Sequence, residues 1–234
     1  MAGIKLMNVK KSYSLQTHRI EVLRGVNLEI PERCITVVLG KSGCGKTTLL
    51  RLVGGLEKAD EGVIEFDKNH KSTFVFQEPR LMPWLSVWDN VIFGVKRGEN
   101  ERIQKIIDTV GLKGFEQAYP SQLSGGMQQR TAIARALAYQ PSFIMLDEPF
   151  AALDYFTRDQ MQKELIRLQR DCGVSMLFVT HSIDEALLLG HKIIVLENGC
   201  MKAEFMVDTV NGERELLEPN FIKLKKEILS QLGG

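Results

Sequence analysis

A glycine-rich stretch constrains this chain more than any other part of its sequence. It reads Gly40-Lys41-Ser42-Gly43-Cys44-Gly45-Lys46-Thr47-Thr48 and matches the pattern G-x-x-x-x-G-K-[ST]. Residues 35–39 predict a buried strand before it, and residues 48–53 predict the first turns of a helix after it. A strand, a glycine-rich loop and a helix together aim backbone N–H groups at a polyphosphate. A chance match in a glycine-bearing turn is the alternative, but the flanking strand and helix favour a nucleoside triphosphate site.

The chemistry of such a loop assigns roles to two of its side chains. We expect the Lys46 ammonium to reach the β- and γ-phosphates and to act in catalysis, and the Thr47 hydroxyl to ligate Mg²⁺. Downstream, the apolar run 143–146 ends in Asp147 and Glu148. Asp147 would hold Mg²⁺ beside Thr47, whereas Glu148, on the opposite side by strand alternation, would act as the general base for the attacking water. An ordinary strand followed by an acidic helix start is the alternative interpretation.

Composition narrows the class of protein. The 234 residues carry 30 Lys and Arg against 29 Asp and Glu, a net charge of +1, so no bulk charge attracts nucleic acid. The mean hydropathy is −0.08, and no apolar run approaches the roughly 18 residues of a membrane span. The start lacks the pattern of a signal peptide, and the cysteines form no C-x-x-C pair. We therefore expect a soluble, reduced, cytoplasmic protein.

Hydrophobic patterning predicts an α/β core interrupted by a helical region. Alternating segments indicate an antiparallel layer at 4–9, 20–23 and 26–30. Continuous apolar strands alternate with helices, which is typical of a parallel sheet covered on both sides. The run 35–39 precedes the phosphate loop, further strands are expected at 62–66 and 73–76, and strands return after the helical region at 143–146, 175–179 and 192–196. Between 79 and 140 helical spacing replaces the strand signal, and Phe221, Leu224, Ile228 and Leu232 predict a closing amphipathic helix.

A second motif predicts another anion-binding helix start. It reads Leu123-Ser124-Gly125-Gly126-Met127-Gln128-Gln129-Arg130. Ser124 is placed as an N-cap, the glycines expose backbone N–H groups, and a long helix follows. Two phosphate-binding devices in one chain suggest that two subunits share each nucleotide. The motif resembles the signature of ATP-binding cassette (ABC) ATPases, and a P-loop kinase or GTPase would lack it.

The resemblance extends over the whole chain and implies its domain plan. It implies an α/β P-loop NTPase fold with a RecA-like parallel sheet, an N-terminal antiparallel β layer and an inserted α-helical subdomain. Within this single domain, residues 1–79 and 141–206 would form the nucleotide-binding core. Residues 80–140 would form the helical signature subdomain, and residues 207–234 the tail with its helix.

The resemblance also implies roles for single residues. Tyr13 matches the aromatic that stacks on adenine, although a half-exposed strand tyrosine is the alternative. Gln77 matches the glutamine that touches Mg²⁺ and links the lobes, and Ala152-Leu153-Asp154 matches the loop that crosses a dimer interface. His181 matches the histidine that contacts the γ-phosphate, and the capping box after it would fix the helix start. Ser124, Gly125, Gly126 and Asp154 are thereby expected at the nucleotide.

A narrower resemblance concerns the stretch Phe76-Gln77-Glu78-Pro79-Arg80-Leu81-Met82-Pro83-Trp84-Leu85-Ser86-Val87-Trp88-Asp89-Asn90-Val91. It is similar to the ATP-binding subunits of nitrate, sulfonate and taurine importers. Trp84 and Trp88, at i and i+4, would form an aromatic floor for the coupling helix of a membrane subunit. Packing of both inside the helical subdomain is the alternative.

These resemblances together imply a function. The chain would be the cytoplasmic ATPase subunit of an importer, peripheral on the membrane. It would work as a homodimer with two permease subunits and, indirectly, a substrate-binding protein, using ATP and Mg²⁺. A soluble ABC ATPase of DNA repair or translation is the rival, although such proteins commonly carry long insertions or fused cassettes.

Cys44 carries a separate hypothesis, because it lies within the phosphate loop. The helix dipole and the Lys46 ammonium would both favour its thiolate and make it reactive. A role as a small buried filler is the alternative.

Overall fold

A six-stranded sheet lies at the centre of the fold. The computed structural model describes residues 2–15, 18–66, 71–95, 98–151, 153–207, 216 and 218–232. The strands are β1 Ala2–Leu15, β2 His18–Pro31, β3 Ile35–Leu39, β4 Glu61–Phe66, β5 Ser72–Val75, β6 Phe143–Asp147, β7 Ser175–Thr180, β8 Lys192–Glu197 and β9 Cys200–Met206. The helices are α1 Lys46–Val53, α2 Val87–Ile92, α3 Asn100–Thr109, α4 Gly125–Ala138, α5 Tyr155–Cys172, α6 Ile183–Leu189 and α7 Pro219–Leu232, with a 3₁₀ turn at Pro120–Gln122.

The central sheet is buried on both faces, as its continuous apolar strands predict. Its order is β5-β6-β7-β3-β8-β9, and every pairing is parallel except that of β8 with β9. Along β3, Val37 and Leu39 pack into a cluster with residues of α5 and α6, whereas Val38 packs on the other face with residues of α1. Because β3, β6 and β7 are parallel neighbours, their carboxyl ends meet at one edge, where α/β proteins bind ligands.

The N-terminal layer differs in detail from the sequence prediction. The segments expected at 20–23 and 26–30 form one strand, β2, because Gly25 has a positive φ of 82° and lies where the register with β1 shifts. The third strand of the layer is β4, which pairs antiparallel with β1 and does not join the central sheet. Strand propensity predicted these segments, but it could not assign their partners.

The helical region packs around its own apolar cluster. The buried side chains of α2, α3 and α4 meet there, among them Val91, Ile107 and Ala134. Ser86 caps α2, whose first residue is Val87, so Trp84 lies in the turn before the helix and not on it. Trp84 and Trp88 therefore do not share a helix, and the aromatic floor for a coupling helix stays a prediction.

The C-terminal elements extend the central sheet and pack against it. The hairpin between β8 and β9 turns at Asn198 and Gly199, whose positive φ values of 48° and 77° are those of a type I′ turn. Strand β9 was not predicted. The predicted closing helix is confirmed as α7, which buries Ile228 against the core and pairs Lys225 with Asp184 of α6 at 2.5 Å.

Candidate nucleotide site

The phosphate loop is tightly enclosed by the rest of the fold. It joins the end of β3 to Lys46, the first residue of α1. Gly45 precedes the helix with a φ of 106°, and a Cβ there would lie 2.9 Å from the Val22 carbonyl oxygen. A Cβ on Gly40 would overlap the Leu196 carbonyl oxygen. Gly45 therefore requires glycine because of its positive φ and because there is no room for a Cβ, and Gly40 requires it for lack of room alone.

Lys46 places a buried positive charge inside the loop. Its side chain is 5% exposed, and its ammonium donates to the carbonyl oxygens of Gly40 at 2.8 Å and Lys41 at 3.0 Å. No side-chain oxygen caps the α1 N-terminus, which leaves its backbone N–H groups free of side-chain competition. A buried ammonium beside free N–H groups at a helix start suits a polyphosphate.

Thr47 and Asp147 meet as the sequence predicts. The Thr47 hydroxyl donates a hydrogen bond to Asp147 Oδ1 at 3.1 Å. Two oxygen atoms that could ligate a metal ion therefore come together where β6 ends beside α1. Burial raises the pKa of Asp147, and the neighbouring Glu148 carboxylate adds to this rise against the opposing effect of Thr47. Hydroxyl and carboxylate oxygens are ligands that Mg²⁺ prefers, so the donor set fits this ion.

Glu148 lies between the phosphate loop and His181. It has a positive φ of 43°, and its N–H donates to the Val179 carbonyl oxygen at 3.0 Å. Its two carboxylate oxygens face different partners, Lys46 Nζ at 3.9 Å and His181 Nδ1 at 3.0 Å. Glu148 and His181 have separately predicted roles, and only the structure shows that their side chains are in direct contact. A strained residue held in this way is typical of a functional position.

The turn after β7 is braced by hydrogen bonds. The Ser182 hydroxyl accepts from the Glu185 N–H at 3.3 Å, which confirms one half of the predicted capping box; the Ser182 N–H does not donate back to Glu185 but to Thr180. The Thr180 hydroxyl accepts from the Ser182 N–H at 3.0 Å and donates to Glu185 Oε2 at 2.5 Å. This bracing holds the segment that carries His181, whose side chain is 60% exposed.

The second motif also forms a capped helix start. Ser124 Oγ accepts from the Met127 N–H at 3.3 Å, and α4 begins at Gly125. Around a Cβ placed on Gly125 there is open space, whereas one on Gly126 would lie 3.0 Å from the Leu153 side chain. The α4 N-terminus therefore faces outwards beside the loop that leads into α5.

Asp154 is the N-cap of α5. Its carboxylate accepts from the Thr157 N–H at 3.0 Å, and this hydrogen bond holds the pKa of Asp154 below its usual value. The next two side chains, Tyr155 and Phe156, are 76% and 83% exposed. Ala152, which the sequence analysis placed in the same loop, lies outside the described residues.

Tyr13 and Gln77 lie away from the buried centre of the site. Tyr13 is half-buried on β1, and its phenol contacts Glu57 and the Thr48 hydroxyl of α1. Gln77 is exposed just after β5, next to the Phe76 carbonyl, which accepts from Gln129 of α4 at 3.2 Å. Gln77 thus follows a direct hydrogen-bonded link between the sheet and α4.

The reactive-thiolate hypothesis for Cys44 is wrong in direction. Burial raises the pKa of the Cys44 thiol, and this effect outweighs the opposing charge of Lys46. The carbonyl oxygen of Cys44 accepts from the Gly199 N–H at 3.1 Å, so the β8–β9 hairpin closes over the loop. The small-filler alternative fits a residue that is 8% exposed.

Two features that support the site, the β8–β9 hairpin and Glu57, were not predicted from the sequence. The hairpin at Gly199 had an available signal, because Asn198-Gly199 between two apolar runs predicts a type I′ hairpin. Glu57, which contacts Tyr13, had none, since it lies in an irregular segment with no motif.

The fold and the site together define a P-loop NTPase with a second, exposed helix start on a helical insertion. Residues 23–151 match the family model described as ABC transporter. An uncharacterized ABC transporter ATP-binding protein of Methanocaldococcus jannaschii is 43% identical, with 98% of this chain and 91% of that protein covered. The aliphatic sulfonates import ATP-binding protein SsuB 1 of Pseudomonas fluorescens is 45% identical, with 91% and 81% covered.

The solved structures agree with the sequence relatives. The dimeric, post-hydrolysis ATP-binding cassette MJ0796, bound to ADP and Pi, superposes with a TM-score of 0.80 at 34% identity, covering 88% of this chain and all of that one. This chain therefore belongs to the ABC transporter family and is an ATP-binding cassette ATPase. The predicted family, fold class and ATPase activity are confirmed. Among the described residues, no helix is long and apolar enough to cross a membrane.

Proposed function

We propose that this cassette hydrolyses ATP as a homodimer and thereby energises a membrane importer of a small anion such as nitrate, a sulfonate or taurine. The observation that carries the proposal is the contrast between two helix starts. The phosphate loop is backed by Lys46 and Glu148, whereas the α4 N-terminus at Gly125 faces open space. A second copy of the chain would supply its own α4 N-terminus to cover each ATP.

The hydrolytic step would use residues of a single chain. Lys46 would neutralise charge developing on the β- and γ-phosphates. Glu148 would take a proton from the attacking water at its carboxylate. His181, which contacts Glu148 Oε2 at 3.0 Å, would hold that carboxylate in place and reach the γ-phosphate.

Three residues would hold Mg²⁺ beside the phosphates. Thr47 and Asp147 are already in contact, and Gln77 would add its side-chain oxygen from the end of β5. When bound, the ion neutralises charge on the β- and γ-phosphates. Gln77 comes directly after Phe76, whose carbonyl oxygen accepts a hydrogen bond from Gln129 of α4. A shift of Gln77 on nucleotide binding would therefore be transmitted to the helical region.

The opposing half of each site would come from the partner copy. Residues 124–126 would present backbone N–H groups to the phosphates, and Asp154 would lie at the interface between the chains. The exposed ring pair Tyr155 and Phe156 supports this arrangement, because the rings directly follow Asp154 and have apolar surface to bury. Tyr13 would stack on the adenine.

The helical region would receive the permease. Large apolar side chains are exposed there: Trp84 by 72%, Phe93 by 57%, Tyr119 by 47% and Phe115 by 44%. Large apolar side chains exposed in one region are typical of interaction surfaces, and a membrane subunit would bury these four. Trp88, in contrast, packs partly within the helical cluster. The cassette would thus lie on the cytoplasmic face of the membrane, with a substrate-binding protein acting on the far side.

The test is purification from membranes with a tagged chain, followed by identification of copurifying subunits. We expect two permease chains, and uptake of nitrate, a sulfonate or taurine that depends on ATP in vesicles. Trp84→Ala should weaken retention of the permease, whereas Leu56→Ala, which removes an apolar side chain exposed by 54% outside the helical region, should not. Quantitative recovery of the chain in the soluble fraction with no permease would favour the rival, a soluble ABC ATPase.

A further inference from the structure

The phenol of Tyr13 is anchored by an acidic side chain. Tyr13 OH donates a short hydrogen bond to Glu57 Oε2, and Arg51 donates to the other carboxylate oxygen of Glu57 at 3.3 Å. Arg51 lies one turn after Thr47 on α1, the helix that begins at the end of the phosphate loop. The Glu57 carboxylate therefore links the phenol directly to the helix of the phosphate site.

A second set of contacts holds the same stretch of β1. Asp60 Oδ2 accepts from the Ser12 N–H at 2.8 Å, and the Lys11 ammonium donates to the Lys58 carbonyl oxygen at 2.8 Å. The Lys11 ammonium also lies 5.5 Å from the centre of the Tyr13 ring. The segment after α1 thus holds the backbone beside Tyr13 as well as its hydroxyl.

We infer that Glu57 is a positioning residue for the nucleobase, which it orients by fixing the ring of Tyr13. The inference rests on the proposed stacking of Tyr13 on adenine. A half-buried tyrosine on a strand can rotate about its side-chain bonds, and an anchored hydroxyl removes that freedom before the base arrives.

This arrangement predicts an effect on the base and not on the phosphates. Glu57→Ala should weaken ATP binding by about tenfold, the effect of losing a hydrogen bond to a charged group. Inorganic tripolyphosphate, which has no base, should bind with unchanged affinity. Glu57→Gln keeps an oxygen that accepts from the phenol and should retain most of the ATP affinity. Glu61→Ala, which removes an acid paired with Lys10 in the same layer, is the matched control.

The experiment is isothermal titration of the full chain with MgATP and with tripolyphosphate, for Glu57→Ala, Glu57→Gln, Tyr13→Phe, Tyr13→Ala and the double variant Tyr13→Phe with Glu57→Ala. We expect Tyr13→Phe to weaken ATP binding as Glu57→Ala does, and the double variant to be no weaker than either. A purely structural role of Glu57 would weaken both ligands alike and would overturn the inference.

Two further outcomes distinguish a failure of the Glu57 role from a failure of the proposed stacking of Tyr13 on adenine. If Tyr13→Ala weakens ATP binding but Glu57→Ala does not, Tyr13 stacks on the base without needing its anchor, and only the inference falls. If Tyr13→Ala leaves ATP binding unchanged, the stacking role itself is wrong and the inference falls with it.

Discussion

The two helix starts of this cassette are built in opposite ways. At α1, Gly45 has a φ of 106° and no side chain caps the helix. There the surroundings are crowded, with Val22 and Leu23 within reach of any added Cβ. At α4, the Ser124 hydroxyl caps the helix and Gly125 has open space around it.

The difference separates a helix start that the fold encloses from one that faces outwards, as the two halves of a shared site would require. The α1 start is preorganised in the interior, with Lys46 and Glu148 already beside it. The α4 start is already capped by Ser124, but its outer surface is open. An open surface suits a contact that would form and break in each round of ATP hydrolysis. Under the proposed function, the enclosed half would bind the nucleotide and the exposed half would close on the nucleotide of the partner.

The largest effect is expected from Glu148→Gln, which tests the interior half. Loss of a general base lowers the turnover rate by about 10²–10⁴-fold, while the amide preserves the size of the side chain. ATP binding should persist, so gel filtration with MgATP should show a stable dimer. Glu101→Gln, on the exposed first turn of α3, should hydrolyse ATP as the wild type does. Near-normal turnover by Glu148→Gln would remove Glu148 from the role of base.

Mixing two inactive variants tests whether the two halves meet across an interface. Lys46→Ala should lose ATP affinity in the isolated chain, whereas Ser124→Arg should keep that affinity and lose hydrolysis. A heterodimer of the two places both lesions at one site and leaves the other site intact. Mixtures should therefore regain ATPase activity that neither variant has alone. Heterodimers verified by differential tags yet lacking this gain would argue that each chain works on its own.

A smaller effect is expected on stability when each helix start receives a methyl group. Gly45→Ala should destabilise the fold by about 2 kcal/mol or more, since alanine is strained at this φ and the added carbon meets the Val22 carbonyl. Gly125→Ala should leave stability within about 1 kcal/mol of wild type or raise it, because alanine favours helices. Urea unfolding of both variants measures the contrast, and equal losses would contradict it.

The smallest effect concerns Cys44, the thiol within the interior half. Because its pKa is raised, less of it is thiolate at any given pH, and the loop also shields it. Maleimide at neutral pH should modify the exposed Cys172 and Cys200 first, and Cys44 only slowly until urea unfolds the chain. Cys44→Ala should change ATPase activity little. Peptide mapping that finds Cys44 labelled first in the folded protein would restore the reactive interpretation.

Much of the site was predictable because its parts are local. The pattern around Lys46 and Thr47 fixes a strand, a loop and a helix by glycine placement and apolar spacing alone. Ser124 likewise caps the helix that the sequence predicts, since a cap involves only neighbouring residues. The contact of Thr47 with Asp147 followed from one further rule, that carboxyl ends of parallel strands share an edge.

The contacts that lay beyond prediction join segments distant in sequence. The pairing of β4 with β1, the contact of Glu148 with His181 and the anchoring of Tyr13 by Glu57 have no local pattern. The same holds for Cys44, whose thiol would be acidified by its local neighbours but is governed by burial under the β8–β9 hairpin. Desolvation depends on everything packed around a group, which no short stretch of sequence records.

The sequence by itself therefore determined the family and the two helix starts, and it predicted the residues that would meet the phosphates. The tertiary structure decided which of these residues touch, that the Cys44 thiol is buried and which helix start faces outwards. The physical reason is that glycine geometry, capping and apolar spacing act over a few residues. Burial and side-chain contact, in contrast, arise only when distant strands such as β3, β6 and β7 pack together.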